Sequence, residues 1–204
     1  MHSDKIKPKS KHYHIIINDV IDFISNNLVD FKLNTIELIK SKEEQCYNKQ
    51  LLNFLDRRLR FGNLNFIIEG NQLNEAEKYP DIEFLVLQSD ENKSFFDLEC
   101  KRLNNKLQHV QQYVHGGTGG IQRFKENKHG VDLPYSAMIG YVETNDFEFW
   151  HKKVNSWILD KNEHLSIIEN QRIAKLESEH QRINLQNSSI KLTHFWLKMS
   201  FANN

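Results

Sequence analysis

Pro80-Asp81-Ile82-Glu83-Phe84-Leu85-Val86-Leu87-Gln88, followed by Ser94-Phe95-Phe96-Asp97-Leu98-Glu99-Cys100-Lys101, is the stretch on which the reading of the fold turns. Both halves have strand character. The first opens on Pro80, which a strand tolerates at its first residue, and continues with β-branched and aromatic side chains. Between the halves, Ser89-Asp90-Glu91-Asn92-Lys93 consists of turn formers, so the whole reads as a hairpin. If the hairpin is centred on Glu91, paired positions sum to about 182. That register sets Asp81 opposite Lys101 and Glu83 opposite Glu99. Strand alternation then puts Asp97, Glu99 and Lys101 on one face and Phe96, Leu98 and Cys100 on the other. One face suits a core; the other gathers two carboxylates and a lysine, joined by Asp81.

Carboxylates and a lysine converging at one end of a hairpin suit metal-dependent phosphodiester hydrolysis. Mg²⁺ is a hard cation held through one or two carboxylates and several waters. A lysine beside it can orient the attacking water and stabilise charge in the transition state. On Pro80-Asp81 and Glu99-Cys100-Lys101 the sequence resembles the PD-(D/E)xK nuclease superfamily, the restriction-endonuclease-like fold. The resemblance implies that Asp81 and Glu99 hold Mg²⁺ (Mn²⁺ as a substitute), with the Cys100 carbonyl as a further ligand and Lys101 as the catalytic lysine. The plain alternative is a solvated charged hairpin.

Going upstream, Lys42 to Arg60 reads as a helix with Tyr47, Leu51, Phe54, Leu55 and Leu59 as its buried stripe. Ser41 and Glu44 form a capping-box pattern at its start. Glu44 has a second reading, because many members of the superfamily carry a metal-directed glutamate on the helix before the sheet. Glu43 competes for that role. An earlier helix covers Ile15 to Leu28, with apolar residues at helical spacing. Residues 1–13, with Lys5, Lys7, Lys9 and Lys11, read as a basic flexible arm, and 14–204 as a single domain. Leu64 to Gly70 reads as the first strand.

Downstream, Arg102 to His115 reads as a polar helix with a narrow stripe of Leu103, Leu107, Val110 and Val114. Its exposed side offers Arg102 and Lys106 to nucleic acid. The run Gly116-Gly117-Thr118-Gly119-Gly120 lacks the Gly-Lys-Ser/Thr ending of a phosphate-binding P-loop. Beyond it, Arg123, Lys125 and Lys128 are the densest local positive charge; they read as phosphate contacts or as a solvated surface turn. Tyr135 to Glu143 has the continuous apolar character of a central strand, its small residues Ser136, Ala137 and Gly140 suggesting close helix packing. Asp146 caps a helix carrying Phe147, Trp150, Val154, Trp157 and Ile158. Glu163 to Glu169 and Ile173 to His180 read as short strands or as a strand and a polar loop, and Ile190 to Phe201 as a terminal strand. His180 and Arg182 read as part of an ordinary surface loop.

Composition sets limits. The chain has 204 residues, 39% apolar and 11% aromatic, enough for one good core. Lys plus Arg and Asp plus Glu both number 27, so bulk charge does not announce a nucleic-acid partner. Cys46 and Cys100 make neither a disulfide framework nor a zinc site. No apolar run approaches a membrane span, and the N-terminus lacks a signal-peptide core, so no membrane association and a cytoplasmic location are expected. The expectation is an α/β fold: a restriction-endonuclease-like mixed sheet flanked by helices. The resemblance implies an Mg²⁺-dependent endonuclease acting on DNA in restriction or anti-phage defence. The chain is short, with no zinc finger or separable helix-turn-helix, so any sequence recognition is expected from loops, a homodimer or a partner protein. The competing expectation is a catalytically silent binding or regulatory subunit on the same scaffold.

Overall fold

The computed structural model describes residues 11–35, 37, 39, 43–62, 64–70, 79–86, 94–106, 110–116, 119–166, 173–183 and 185–199. Six strands form one mixed sheet: β1 (Phe66–Gly70), β2 (Ile82–Val86), β3 (Ser94–Leu103), β4 (Tyr135–Val142), β5 (Ile173–Gln181) and β6 (Ser189–Lys198). Their spatial order is β1-β2-β3-β4-β6-β5. β3, β4 and β6 run parallel, while β1–β2, β2–β3 and β5–β6 are antiparallel. The expected α/β sheet flanked by helices is therefore the architecture found.

Helices cover both faces. On one side lie α1 (Lys11–Thr35) and α2 (Glu44–Arg60). Their stripes of Ile17, Val20, Ile24, Leu28 and Tyr47, Leu51, Leu55 join Leu98, Cys100, Ile139 and Phe195 in one core. On the other side, α3 (Gly120–Lys125), α4 (Phe147–Trp157) and the 3-10 turn Gln111–Tyr113 pack over Met138, Leu176, Leu192 and Trp196, and a second 3-10 turn, Lys161–Glu163, is tied to β5 through Glu163. Asp146 caps α4 as the sequence indicates, accepting from the Phe149 amide at 2.7 Å. Among the described residues, no helix is long and apolar enough to cross a membrane.

Several expectations are corrected. α1 begins at Lys11, and Tyr13, placed in the arm by sequence, is buried and donates its hydroxyl to the Phe95 carbonyl at 3.1 Å. Residues 1–10, Ser41, the end of the expected strand at 87–88 and the expected turn at 89–93 lie outside the described residues. The hairpin pairs Ile82 with Leu98 and Glu83 with Asp97, two residues away from the expected register, with a shift at Phe84/Leu85. A two-residue change keeps every side chain on its face. Arg102 and Leu103 are not helical: they extend β3, because Tyr141 and Val142 of β4 pair with them. Gly140 makes room not for a helix but for Trp196 on the neighbouring strand, since a Cβ there would come within 2.5 Å of the indole ring. Of the two readings for 163–169, the strand does not hold at its start, since Glu163 belongs to a 3-10 turn; 167–169 lie outside the described residues.

Candidate functional site

The site is built where β2 ends and β3 continues. Pairing between them stops at Ile82 and Leu98, leaving the amides of Cys100 and Arg102 without a strand on that side. Carboxylates take the place of the missing strand. Asp81 Oδ2 accepts from the Cys100 amide at 2.7 Å, and Glu44 Oε2 from the Arg102 amide at 3.2 Å. Satisfying buried backbone donors in this way is nearly obligatory. It also draws two side chains from distant segments to one point.

Lys101 lies at the centre. Its Nζ is 2.7 Å from Glu99 Oε1, 3.1 Å from Glu44 Oε1 and 3.1 Å from the Cys100 carbonyl oxygen. The structure thus brings together Glu44, Asp81, Glu99, Cys100 and Lys101. Glu44 turns its side chain into this group even though it is the first residue of α2, and Glu43 occupies the N-cap position with no side-chain cap bond. The face is not solvated as a charged hairpin would be: Asp97, Glu99 and Lys101 are all buried.

Two residues that sequence reasoning did not place here close the far side of Glu99. His129 Nδ1 lies 3.2 Å from Glu99 Oε2, and Arg123 Nη1 lies 3.7 Å from Oε1. Arg123 is only 3% exposed. It is therefore not a solvated surface turn; a buried guanidinium needs a carboxylate, and Glu99 supplies it. The segment bearing His129 is held by Arg182, which donates to the carbonyls of Phe124 (2.8 Å), Gly130 (2.6 Å) and Leu133 (2.7 Å). Asp97 adds a further tie, accepting from the Gly130 amide at 2.7 Å and from the Ser94 hydroxyl. Arg182 and His180 are both buried, not part of a surface loop. The signal available in sequence was Arg123, His129 and Gly130 clustering just before a central strand.

The remaining basic candidates are scattered. Arg102 is paired bidentately with Glu143 at 2.6 and 2.9 Å. Lys125 is paired with Glu163 at 2.5 Å and Lys128 with Glu126 at 2.6 Å. Lys106 is exposed.

The electrostatics divide the two central carboxylates. Burial would raise Glu99, but Lys101 and then His129 outweigh it and hold Glu99 at about 2. Burial and the neighbouring Glu99 push Asp81 up to about 8, despite Lys101 beside it. Burial would lower Lys101, but Glu99, Glu44 and Asp81 raise it, so it stays an ammonium. Asp81 therefore sits where more positive charge is wanted. Among the described residues, no group of three or more His, Cys, Asp or Glu side chains is placed to hold a metal ion. The donors present are hard oxygens: the Asp81 and Glu99 carboxylates and the Cys100 carbonyl, with Glu44 behind them. That set fits a hard divalent cation taking one or two carboxylates and completing its shell with water; it does not fit a closed protein cage.

No protein-family model, no curated protein and no solved structure matches the chain. The likeness to the PD-(D/E)xK superfamily rests on the residues quoted above and on no matched relative.

Proposed function

We propose that this chain is a divalent-metal-dependent nuclease of the PD-(D/E)xK type, hydrolysing phosphodiester bonds of DNA. The observation that carries the reading is the convergence of Asp81, Glu99, Lys101 and Glu44 at the point where β2 leaves β3. Asp81, Glu99 and the Cys100 carbonyl would hold Mg²⁺ or Mn²⁺, with water completing the shell and Glu44 beside Lys101. When bound, the cation supplies charge neutralisation at the phosphate and a water of lowered pKa. Lys101 remains protonated, so it acts as a hydrogen-bond donor and not as a base. It orients the nucleophilic water and stabilises negative charge on the phosphate oxygens, where a buried ammonium is worth more than an exposed one. Asp81, protonated near neutral pH in the metal-free protein, would have to be deprotonated to serve as a ligand. The resemblance further suggests a cytoplasmic enzyme of restriction or anti-phage defence.

A second reading is a catalytically silent binding or regulatory subunit. It is favoured by the internal neutralisation of charge: Arg102, Lys125 and Lys128 each already have a carboxylate, and Glu99 is held by Lys101, His129 and Arg123. DNA recognition would then need loops, a homodimer or a partner protein. The two readings separate when purified protein is incubated with supercoiled plasmid and with RNA, each with Mg²⁺, Mn²⁺ or EDTA. Cation-dependent cutting of plasmid alone supports the nuclease; binding of plasmid without cutting under any cation supports the silent subunit.

A further inference from the structure

Five hydrogen bonds run in series through the layer against β5 and β6, away from Glu99. Trp196 Nε1 donates to Tyr113 Oη at 2.9 Å, and Tyr113 Oη lies 2.8 Å from His194 Nδ1. His194 Nε2 is 2.7 Å from Ser178 Oγ, and Ser178 Oγ is 2.7 Å from His180 Nε2. His180 Nδ1 is 3.3 Å from Glu163 Oε2. Tyr113, His180, His194 and Trp196 have no exposed surface, and Ser178 and Glu163 are buried.

The two ends dictate the direction. An indole N–H can only donate, and an ionised carboxylate can only accept. Glu163 is ionised: burial would raise it, but hydrogen bonds from His180, Lys125 and the Gln181 amide hold it at about 2. Tyr113 therefore accepts from Trp196 and donates to His194 Nδ1. His194 donates from Nε2 to Ser178, Ser178 donates to His180 Nε2, and His180 donates from Nδ1 to Glu163. Reversing the order strands the tyrosine hydrogen in the core and turns an imidazole lone pair onto a carboxylate, and each fault is costly when buried.

We propose that this series is an acid-sensitive clasp: with His194 protonated on Nε2 and His180 on Nδ1 it ties the two 3-10 turns to β5 and β6, and protonation of His194 opens it. A second proton on His194 would sit on Nδ1 and face Tyr113 Oη, whose own hydrogen would then lose its acceptor. The groups facing His194 are Tyr113 from the 3-10 turn, Ser178 and His180 from β5 and Trp196 from its own strand; its register neighbours Met138 and Leu176 are uncharged. No carboxylate is among these neighbours. Glu163, with Lys125 of α3 on it, reaches only His180. Burial accordingly holds His194 well below the ordinary histidine range. In the open form an imidazole protonates at about 6.5. The clasp's contribution to stability is thus full above that pH and is lost as pH falls below it. Lys125 extends the clasp to α3, whose Arg123 faces Glu99, but nothing in the inference depends on the chemistry proposed there.

The test is a pH titration of ¹⁵N-labelled protein followed by NMR, reading the imidazole nitrogens and the indole N–H signals. At about pH 7.5, well above the unperturbed imidazole pKa, His194 is expected as the Nε2–H tautomer and His180 as Nδ1–H. On acidification, protonation of His194 and loss of the Trp196 indole signal should coincide. The Trp150 indole, which donates to the Thr144 carbonyl at 2.6 Å outside the series, should persist over that range. Ser178→Ala, which cuts the series between the imidazoles, should raise the pH at which the Trp196 signal is lost. The opposite tautomer at either histidine overturns the proposal. So does a titrating His194 with Trp196 unmoved, simultaneous loss of Trp150 and Trp196, or no upward shift in Ser178→Ala.

Discussion

Asp81 Oδ2 accepts the Cys100 amide at 2.7 Å, at a level of the sheet where β2 has ended and β3 has not. One hydrogen bond thereby fixes the first carboxylate of the candidate site to the strand that carries the second carboxylate and the lysine. It also explains why the site survives a hairpin register different from the expected one. Asp81 need not face Lys101 across a ladder, because it caps the ladder's open end.

The raised Asp81 makes a prediction about pH. Its folded value of about 8 lies above the unfolded value of about 4. Across that window the folded chain holds a proton that the unfolded chain does not. Metal-free stability should therefore fall as pH rises from about 4 to about 8. Asp81→Asn, which keeps an acceptor for the Cys100 amide, should flatten that slope in urea melts, and an unchanged slope would show that Asp81 is not the group responsible.

Lys101→Met should not be silent in stability. It removes the nearest cation from buried Glu99, but His129 and Arg123 remain, so the cost should fall below the 3–5 kcal/mol of a fully broken buried pair, at about 1–3 kcal/mol. Denaturant midpoints measure it directly. A loss under about 0.5 kcal/mol, the range of ordinary surface substitutions, would mean that the Lys101–Glu99 pair contributes little.

Arg182→Met should leave the carbonyls of Phe124, Gly130 and Leu133 without their donor, at a cost of about 2–4 kcal/mol. The segment it anchors should loosen first. Hydrogen exchange at the Gly130 amide, which Asp97 accepts at 2.7 Å, should accelerate more than exchange in β4. Equal acceleration everywhere would mean that Arg182 acts on the whole fold and not on this segment.

Lys128 and Arg123 should separate cleanly. Lys128 is exposed and paired with Glu126, so Lys128→Ala should change stability by no more than about 0.5 kcal/mol. If Lys128 contacts phosphate, the slope of log K against log salt for DNA should fall by about one unit. Arg123→Met, by contrast, should destabilise the protein, since it strips a buried partner from Glu99. Fluorescence melts and a salt series on both variants test the contrast.

The sequence made β3 legible because the alternation of Phe96, Leu98 and Cys100 against Asp97, Glu99 and Lys101 is a local property of a half-polar strand. The stripes of α1 and α2 were legible for the same reason at helical period. The hairpin register was not, because it depends on the turn geometry and on the shift at Phe84/Leu85. The spacing of Leu103, Leu107, Val110 and Val114 suggested a helix from Arg102; pairing with Tyr141 and Val142 overrides it, and that partner lies some forty residues away. Arg123 read as surface charge because nothing local reveals a buried carboxylate waiting for it. Glu44 could be narrowed to two roles from sequence, and only its distances to Lys101 and the Arg102 amide show where its side chain goes.

The most direct test of the nuclease reading is cleavage of supercoiled plasmid by the purified chain and by Lys101→Met, with Mg²⁺, Mn²⁺ or EDTA, on preparations shown to be folded by their melting curves. The account predicts cation-dependent nicking or linearisation by the wild type, none in EDTA, and none by the folded Lys101→Met protein at any cation concentration. Cleavage by Lys101→Met at the wild-type rate, or a folded wild type that cuts with neither cation, would contradict it.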